Sequence, residues 1–222
     1  MLYLVPTPIG NLQDITLRAL EVLKNVDLIA CEDTRTSAKL LDHFGIKKPR
    51  TSYHDHNERT KAPQLIERMK SGQDVALISD AGSPGISDPG FYLVRACLEA
   101  DIKVEALPGP TAIIPALTIS GLPSERFVFE GFLPVKKGRQ TRLLQLSDEQ
   151  RTMIFYESPH RILKTLTNFE STFGEDRRAA VVREISKTFE EAQRGTLDEL
   201  KKYFSEKNKV RGEFVIVVAG KR

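Results

Sequence analysis

Residues 1–110 alternate short apolar runs with longer segments of helical periodicity. This alternation restricts the fold strongly, because strands joined through helices run parallel and must be covered by helices on both faces. Strands are predicted at residues 2–5, 26–31, 75–79 and 104–107. Helices are predicted at residues 15–24, 35–44, 63–69 and 90–100, and Gly45 and Gly72 are suited to end the second and third of them.

The turn residues Pro108-Gly-Pro-Thr interrupt this pattern and are followed by a small-residue helix that reaches Ser120. Further strands are predicted at residues 127–132, 152–156, 179–185 and 213–219, and further helices at residues 138–146, 160–173 and 197–204. We therefore predict an α/β protein of two α/β domains, residues 1–110 and residues 111–222. The first domain is expected to have a largely parallel sheet.

Composition excludes several classes of protein. No run of about 18 apolar residues is present, and the chain opens directly on a strand without a charged signal region, so a cytoplasmic protein without a membrane span is predicted. Cys31 and Cys97 lie in apolar patterns without C-x-x-C spacing. Buried thiols are therefore expected, rather than a disulfide or a metal site.

Positive charge is concentrated in the second half of the chain. Residues 1–110 contain 13 Lys and Arg against 15 Asp and Glu, whereas residues 111–222 contain 20 against 15. The densest basic segments are 136–142 and 201–211, and the first of them contains Lys136, Lys137, Arg139 and Arg142. Such segments favour RNA or DNA as a partner, with a solvated basic face as the alternative.

The stretch Leu77-Ile-Ser-Asp-Ala-Gly-Ser-Pro-Gly-Ile-Ser-Asp-Pro-Gly90 joins a strand to a loop rich in glycine and proline. A loop at the carboxyl end of a parallel strand is where open α/β sheets bind small molecules. Its glycines permit close approach of a ligand to the backbone, and Asp80 can accept hydrogen bonds. Because no Lys or Arg interrupts the loop, a cationic or neutral polar ligand is favoured over a phosphate.

Two other loops in the first domain follow predicted strands. Residues 7–14 lack the G-x-G-x-x-G pattern of a dinucleotide site, so this loop is interpreted as a turn with Asp14 as a helix cap, or as a backbone contact through Ile9 and Gly10. Glu32 and Asp33 follow the next strand, where they could hold a substrate hydroxyl or act as a base. The alternative is that Asp33 or Thr34 caps the following helix and that Arg35 forms a surface ion pair.

Residues 53–57 contain the close pair His54 and His56. No clustered cysteine or third histidine supports metal ligation, so no metal is predicted and contact with a polar substrate is preferred.

In the second domain, Arg161 begins a helix after a strand and could clamp an anion or form a salt bridge within the domain. Lys187 follows another strand and could contact an RNA phosphate, adjust a base, or remain solvated. No nucleophile triad or P-loop is recognisable, so any chemistry is expected to come from a bound cosubstrate.

Seven segments, taken together, resemble one group of proteins: Pro6-Thr-Pro-Ile-Gly-Asn-Leu, Asp14-Ile-Thr-Leu-Arg, Glu32-Asp-Thr-Arg, Ser79-Asp-Ala-Gly-Ser-Pro-Gly, Leu107-Pro-Gly-Pro-Thr, Phe155-Tyr-Glu-Ser-Pro-His-Arg and Arg211-Gly-Glu-Phe. The group is the ribosomal RNA small subunit cytidine 2′-O-methyltransferases, a branch of the tetrapyrrole methylase superfamily. The resemblance extends through essentially the whole chain.

The resemblance implies two α/β domains with S-adenosylmethionine in a cleft between them, a homodimer, and methylation of a cytidine ribose in the decoding region of small-subunit (16S) ribosomal RNA. Carried over by position, the implied cofactor contacts are Ile9, Gly10, Asp80, Ala81, Gly82, Ser83, Thr111, Ala112, Tyr156, Glu157, Glu184 and Glu213. The catalytic candidates are Glu32, Asp33 and Lys187. The substrate candidates are Arg35, His54, Lys136, Lys137, Arg139, Arg142 and Arg161.

Two departures from the family pattern affect the substrate. Porphyrin-type relatives usually show Gly-Asp-Pro where this chain has Ser79-Asp80-Ala81, which argues against a tetrapyrrole. Many ribosomal RNA members carry a C-terminal helical extension, whereas this sequence ends at Arg222, so RNA affinity is expected to depend on residues 136–142 and on dimerisation. The alternatives are a tetrapyrrole (precorrin-type) C-methyltransferase and a non-catalytic RNA-binding module of ribosome assembly.

Overall fold

The structure, a computed structural model, describes residues 1–207 and 209–221; Asn208, within the predicted basic segment 201–211, and Arg222 lie outside the described residues. The chain divides into two compact units, Met1–Thr111 and Ala112–Arg222, which we call the first and the second unit.

The first unit is built on a five-stranded parallel sheet in the order β3-β2-β4-β1-β5. Its strands are β1 (Leu2–Leu4), β2 (Leu28–Cys31), β3 (Arg50–Ser52), β4 (Val75–Ile78) and β5 (Val104–Ala106). Its helices are α1 (Leu17–Asn25), α2 (Thr34–His43), α3 (Glu58–Lys70) and α4 (Phe91–Glu99). The predicted α/β fold with a parallel first sheet is confirmed.

Two apolar cores lie on opposite faces of this sheet. Alternate residues of β2 and β4 separate the cores, because successive side chains of a strand point to opposite faces. Leu28, Ala30, Val75 and Leu77 pack against α3 and α4. Ile29, Cys31, Ala76 and Ile78 pack against α1 and α2. Helices therefore cover both faces of the sheet, as parallel strands require.

Three local expectations for the first unit are corrected by the structure. The three-residue strand β3 was not predicted, because Arg50–Ser52 is too short and polar for an apolar pattern. Helix α3 begins at Glu58, ahead of the predicted start at Pro63, which lies inside the helix. Thr16, rather than Asp14, caps α1, since the Thr16 side chain accepts a hydrogen bond from the Ala19 amide at 3.0 Å.

The second unit has a mixed sheet in the order β6-β7-β10-β8-β9. Its strands are β6 (Phe127–Phe132), β7 (Thr152–Glu157), β8 (Arg178–Arg183), β9 (Glu191–Thr196) and β10 (Phe214–Val218). Its helices are α5 (Ile113–Ser120), α6 (Arg139–Leu146), α7 (Ile162–Phe173) and α8 (Leu197–Ser205). Strand β9 was not predicted, because Glu-Ala-Gln-Arg-Gly-Thr is a polar sequence at a sheet edge.

Helices α6, α7 and α8 cover one face of the second sheet and enclose a core that contains Phe155, Phe169, Phe204 and Ile216. Helix α5 packs against β8, β9 and β10. Its buried residues Ile113, Ala116 and Leu117 lie outside that core, so α5 covers the opposite face.

Cys31 and Cys97 are buried free thiols, as predicted. Burial raises the pKa of both thiols above the usual value, that of Cys97 to about 11. Within residues 1–207 and 209–221, the helices are too short or too polar to traverse a lipid bilayer.

Candidate functional site

The loops after β1 and β4 are joined by backbone hydrogen bonds at the carboxyl edge of the first sheet. Thr7 and Gly82 form an isolated antiparallel bridge, in which each amide donates to the other carbonyl at 2.9 Å. The Thr7 hydroxyl donates to the Ser79 carbonyl at 3.0 Å. The predicted contacts at residues 9–10 and 80–83 are thus held on one framework.

The loop after β5 joins the same framework. The Ser83 hydroxyl donates to the Pro110 carbonyl at 3.2 Å. A Cβ atom on Gly109 would lie 2.7 Å from Pro6 Cβ, and one on Gly82, whose φ is +83°, would lie 3.5 Å from Ile9 Cγ2. Glycine is needed at Gly109 for this close approach and at Gly82 for its left-handed backbone. The three loops therefore form a closely packed unit, which we call the glycine frame.

A group of carboxylates lies beside the glycine frame. Burial raises the pKa of Glu32 above its usual value, and the negative charge of Asp80 adds to the effect. Burial raises the pKa of Asp88 to about 6, with a further contribution from Glu32 and a smaller one from Asp80. In the part of the chain that the structure describes, no Lys or Arg forms an ion pair with Glu32, Asp80 or Asp88. We call these three residues the acidic group.

Asp33 has a structural role that argues against base catalysis. Its carboxylate caps α2 by accepting from the Arg35 amide at 2.8 Å, and it also binds the Arg35 guanidinium at 2.8 Å. The side-chain hydrogen bond with Arg35 lowers the pKa of Asp33 to about 2. Arg35 is correspondingly engaged in this ion pair. The Asp33 amide donates to Asp80 Oδ1 at 3.2 Å, which ties this helix start to the acidic group.

His54 lies at the end of β3, on the same edge of the sheet. Its Nε2 is 3.0 Å from the Asn57 side-chain amide, and its Nδ1 is buried without a hydrogen-bond partner. The rings of His54 and His56 are 6.0 Å apart between centroids. Among residues 1–207 and 209–221, no three His, Cys, Asp or Glu side chains are grouped so that they could hold a metal ion.

In the second unit, Lys187 links two predicted cofactor contacts. Its Nζ donates to Glu184 Oε1 at 3.0 Å and to Glu213 Oε2 at 2.8 Å. Burial lowers the pKa of Lys187, but the hydrogen bonds to Glu213 and Glu184 outweigh burial and the pKa lies above its usual value. Lys187 is therefore a cation, which argues against its predicted role as a base.

Gly212 permits this arrangement. Its φ is +99°, and a Cβ atom there would lie 2.5 Å from Glu184 Cγ. Glu184 itself has a φ of +53°, and its carboxylate accepts from the Glu213 amide at 2.9 Å. The Arg-Gly-Glu-Phe segment is thus shaped around one carboxylate.

Glu157 and Arg139, predicted as cofactor and RNA contacts, are instead buried in one polar network. The Glu157 carboxylate accepts from Thr165 Oγ1 at 2.6 Å and pairs with Arg161 at 2.8 Å. Arg139 donates to the Thr165 hydroxyl at 2.6 Å and to Asn168 Oδ1 at 3.0 Å. These side chains hold α6, α7 and β7 together, and Arg161 forms the salt bridge within the domain that was the alternative to an anion clamp.

The other basic residues of segment 136–142 differ in whether they already form an ion pair. Lys136 and Lys137 are exposed. Arg142 forms a two-pronged ion pair with Glu130, with both distances 2.8 Å. In the other basic segment, Lys201 pairs with Glu170. Lys136 and Lys137 are therefore the residues of segment 136–142 best placed to meet a phosphate.

The glycine frame brings together the predicted contacts Ile9, Gly82 and Ser83, and the acidic group adjoins it. Asp88 was not predicted as a site residue, although it is the second Asp of the same loop. The signal was its position in a Ser-Asp-Pro-Gly turn that mirrors Ser79-Asp80. What marks Asp88 as a site residue is its burial beside Glu32, which only the structure shows.

The model of the family Tetrapyrrole (Corrin/Porphyrin) Methylases matches residues 1–201 of the chain. The chain is 55% identical to Ribosomal RNA small subunit methyltransferase I of Haemophilus influenzae, over 100% of this chain and 79% of that protein. It is 52% identical to the protein of the same name from Escherichia coli O157:H7, over 99% of this chain and 77% of that protein.

Solved structures of lower identity share the fold. A cobalt precorrin-4 methyltransferase superposes with a TM-score of 0.68 at 18% identity, over 98% of this chain and 94% of that chain. A diphthine synthase superposes with a TM-score of 0.73 at 18% identity, over 98% of this chain and 89% of that chain. This similarity confirms the type of fold that the resemblance implies.

Proposed function

We propose that this chain, which belongs to the tetrapyrrole methylase family and within it to the Ribosomal RNA small subunit methyltransferase I proteins, methylates small-subunit ribosomal RNA with S-adenosylmethionine. The observation that carries the proposal is identity above one half over the whole chain with relatives of that name. The finer proposal, which rests on the motif resemblance, is the ribose 2′-hydroxyl of a cytidine in the decoding region.

The chemistry of the first unit fits S-adenosylmethionine. When bound, this cofactor supplies a methyl group on a positively charged sulfonium. The acidic group has no cation of its own among the described residues, so it favours a positively charged or hydroxyl-bearing ligand. The glycine frame offers backbone groups and no Lys or Arg, which suits a ligand without phosphates. We assign cofactor contacts in this unit to Ile9, Gly10, residues 80–83 and Thr111, and the resemblance adds Ala112, the first residue of the second unit.

In the second unit we retain Tyr156, Glu184 and Glu213 as cofactor contacts. The Glu157 side chain is excluded from this set, because it is 1% exposed and its carboxylate is bound by Arg161 and Thr165, whereas the side chains of Glu184 and Glu213 are 18% and 79% exposed. Lys187 acts on Glu184 and Glu213 by holding both carboxylates in place.

Glu32 is the base that we propose. A raised pKa brings a carboxylate closer to the basicity that proton removal near neutral pH requires, whereas Asp33 is held ionised by Arg35 and Lys187 is held protonated. Glu32 would accept the proton that the ribose 2′-hydroxyl loses while its oxygen bonds to the methyl carbon and the carbon–sulfur bond breaks. Alignment of the two reactants supplies the larger share of the acceleration.

The experiment uses the purified protein, methyl-labelled S-adenosylmethionine and unmodified small ribosomal subunits. The RNA is digested and the labelled nucleoside is identified by mass, with cofactor binding measured separately by calorimetry. Labelled 2′-O-methylcytidine supports the cofactor, the reaction and the class of substrate together. A label on a base overturns the 2′-hydroxyl assignment, and cofactor binding without labelled RNA redirects the search to tetrapyrroles. Sedimentation measures the predicted homodimer.

A further inference from the structure

Strand β6 contains a bulge that changes which face its last residue occupies. Phe129 pairs with Ile154, but Gly131 pairs with Phe155, so Glu130 is the extra residue, and Gly131 has a φ of +61°. A bulge reverses the alternation of side chains beyond it. Phe132, which pairs with Tyr156, is thereby placed on the same face as Phe129 instead of the opposite one.

The bulge assembles an aromatic cluster at the edge of the second sheet. The Tyr156 ring lies 5.0 Å from Phe129 and 5.6 Å from Phe132, measured between centroids. Phe132 is 54% exposed. A half-exposed ring that two other rings hold in place presents a flat apolar face in a fixed orientation, so it is suited to contact a partner.

Helix α5 covers this face of the sheet toward its other edge, against β8, β9 and β10. Tyr156 pairs with Val215 of β10, which is buried, whereas β6 is the edge strand on the other side of β7. The cluster of Phe129, Phe132 and Tyr156 thus lies beyond the part of the sheet that α5 covers.

Positive charge follows the cluster along the chain. Lys136 and Lys137 are exposed and lie four and five residues after Phe132, within about 14 to 18 Å even for a fully extended backbone. A flat apolar ring with cations nearby is the combination that binds single-stranded nucleic acid, in which bases stack on aromatic faces and phosphates meet Lys or Arg.

We propose that Phe132, braced by Phe129 and Tyr156, stacks on an unpaired nucleobase of the RNA while Lys136 and Lys137 bind the adjoining phosphates. This inference rests on the proposed function and names the form of RNA that the surface recognises, which is unpaired. A duplex offers no free base face to the ring, so it would use only the two lysines.

A second copy of this chain fits the surface less well. A two-fold interface buries the same patch on each copy, so it would bring Lys136 and Lys137 of both copies, four positive charges in all, into one interface. The neighbouring carboxylate that could offset this charge, Glu130, is already paired with Arg142. Like charges brought together oppose association, whereas a polyanion is attracted.

The test compares Phe132→Ala, Phe132→Trp and Leu98→Ala, an exposed apolar residue of α4 that serves as the matched control. The dissociation constant is measured for a single-stranded RNA from the decoding region and for a duplex of the same sequence. We expect Phe132→Ala to weaken single-stranded binding by about 5-fold or more. Phe132→Trp and Leu98→Ala are expected to retain it, and duplex binding is expected to stay unchanged in all three.

Salt dependence separates stacking from charge. Phe132→Ala is expected to leave the slope of log Kd against log salt unchanged, because stacking releases no counterions, whereas Lys136→Ala or Lys137→Ala lowers it by about one. Unchanged single-stranded binding in Phe132→Ala overturns the inference, as does an equal loss of duplex binding or a fall in sedimentation mass. If the wild-type protein neither binds nor methylates RNA, the proposed function fails instead.

Discussion

Carboxylates of the two units have opposite electrostatic surroundings. In the first unit, Glu32 and Asp88 are partly buried near Asp80, and burial and the negative charge of neighbouring carboxylates raise the pKa of both. In the second unit, Glu184 is held by the Lys187 ammonium, and despite its burial its pKa is lowered by hydrogen bonds with the Glu213 backbone and Lys187. The same residue type is therefore destabilised in its charged form in one unit and stabilised in the other.

The difference indicates separate uses. A carboxylate group that lacks its own cation gains most when a positively charged ligand or a donated proton arrives. A carboxylate that already holds a lysine or an arginine gains less from such a ligand, and its ion pair fixes the shape of the site. The acidic group is thus suited to ligand chemistry, and the pairs around Lys187 and Glu157 are suited to positioning.

The largest effect is expected at Glu32. Glu32→Gln removes the proposed base and is expected to lower kcat by about 10²- to 10⁴-fold with cofactor and RNA saturating. Asp33→Asn is the control, since Asp33 acts as a cap and is expected to affect stability more than kcat. Single-turnover rates measured across pH decide the matter. Full turnover in Glu32→Gln would show that Glu32 is not the base, and the carboxylates of the first unit would then have no chemical role that distinguishes them from those of the second.

The buried network of the second unit provides the next prediction. Arg161→Met removes the direct ion-pair partner of the Glu157 carboxylate, whose side chain is 1% exposed, and is expected to lower the free energy of unfolding by about 3 kcal/mol. Arg95→Met removes an exposed pair with Glu99 and is expected to change it by about 0.5 kcal/mol. Urea unfolding measures both. Equal effects would show that Arg161 is an ordinary surface partner.

The acidic group predicts a pH dependence of stability. The pKa of Asp88 is about 6 when folded and 3.8 in its unperturbed form, so the folded state binds the proton more tightly. Stability from this group is complete below pH 4 and is lost as the pH rises through 6. After allowance for solvent screening, Asp88→Asn is expected to stabilise the protein by about 1 kcal/mol at pH 8 relative to pH 4.

Thermal or urea unfolding without cofactor, at both pH values, provides the measurement. Glu32, Asp80 and Asp55 also influence this titration, so Glu32→Gln is the companion variant and is expected to lower the pKa of Asp88. A wild-type protein that gains stability from pH 4 to 8 more steeply than Asp88→Asn would contradict the raised pKa.

The smallest effect is expected at Lys187. Lys187→Met recreates in the second unit the cation-free condition of the first, and is expected to raise the pKa of Glu184 and to lower the free energy of unfolding by about 0.5 kcal/mol. Lys187→Arg keeps the charge and is expected to retain both properties. Carboxyl titration by NMR follows Glu184, and an unchanged pKa would mean that the Glu213 backbone alone holds it.

The sequence by itself determined the fold class and most elements of the chain. Apolar runs and helical spacing are local properties, so β2, β4, β6 and β10 were found. The glycine-rich loop after β4 predicted a ligand site at the carboxyl edge of the first sheet. Strands β3 and β9 were not predicted, because their residues are polar. A polar strand is stabilised by pairing with neighbouring strands, and its sequence has no apolar alternation that would reveal it.

Tertiary structure alone decided which charged residues are free to act. The sequence places Arg139 close to Lys136 and Lys137, but packing buries Arg139 against Thr165. Lys187 pairs with two carboxylates, Glu184 and Glu213, which come from separate segments of the chain. The bulge at Glu130 likewise moved Phe132 to another face of the sheet. Burial and charge pairing depend on residues far apart in the chain, so a residue's type and spacing cannot report its protonation or exposure.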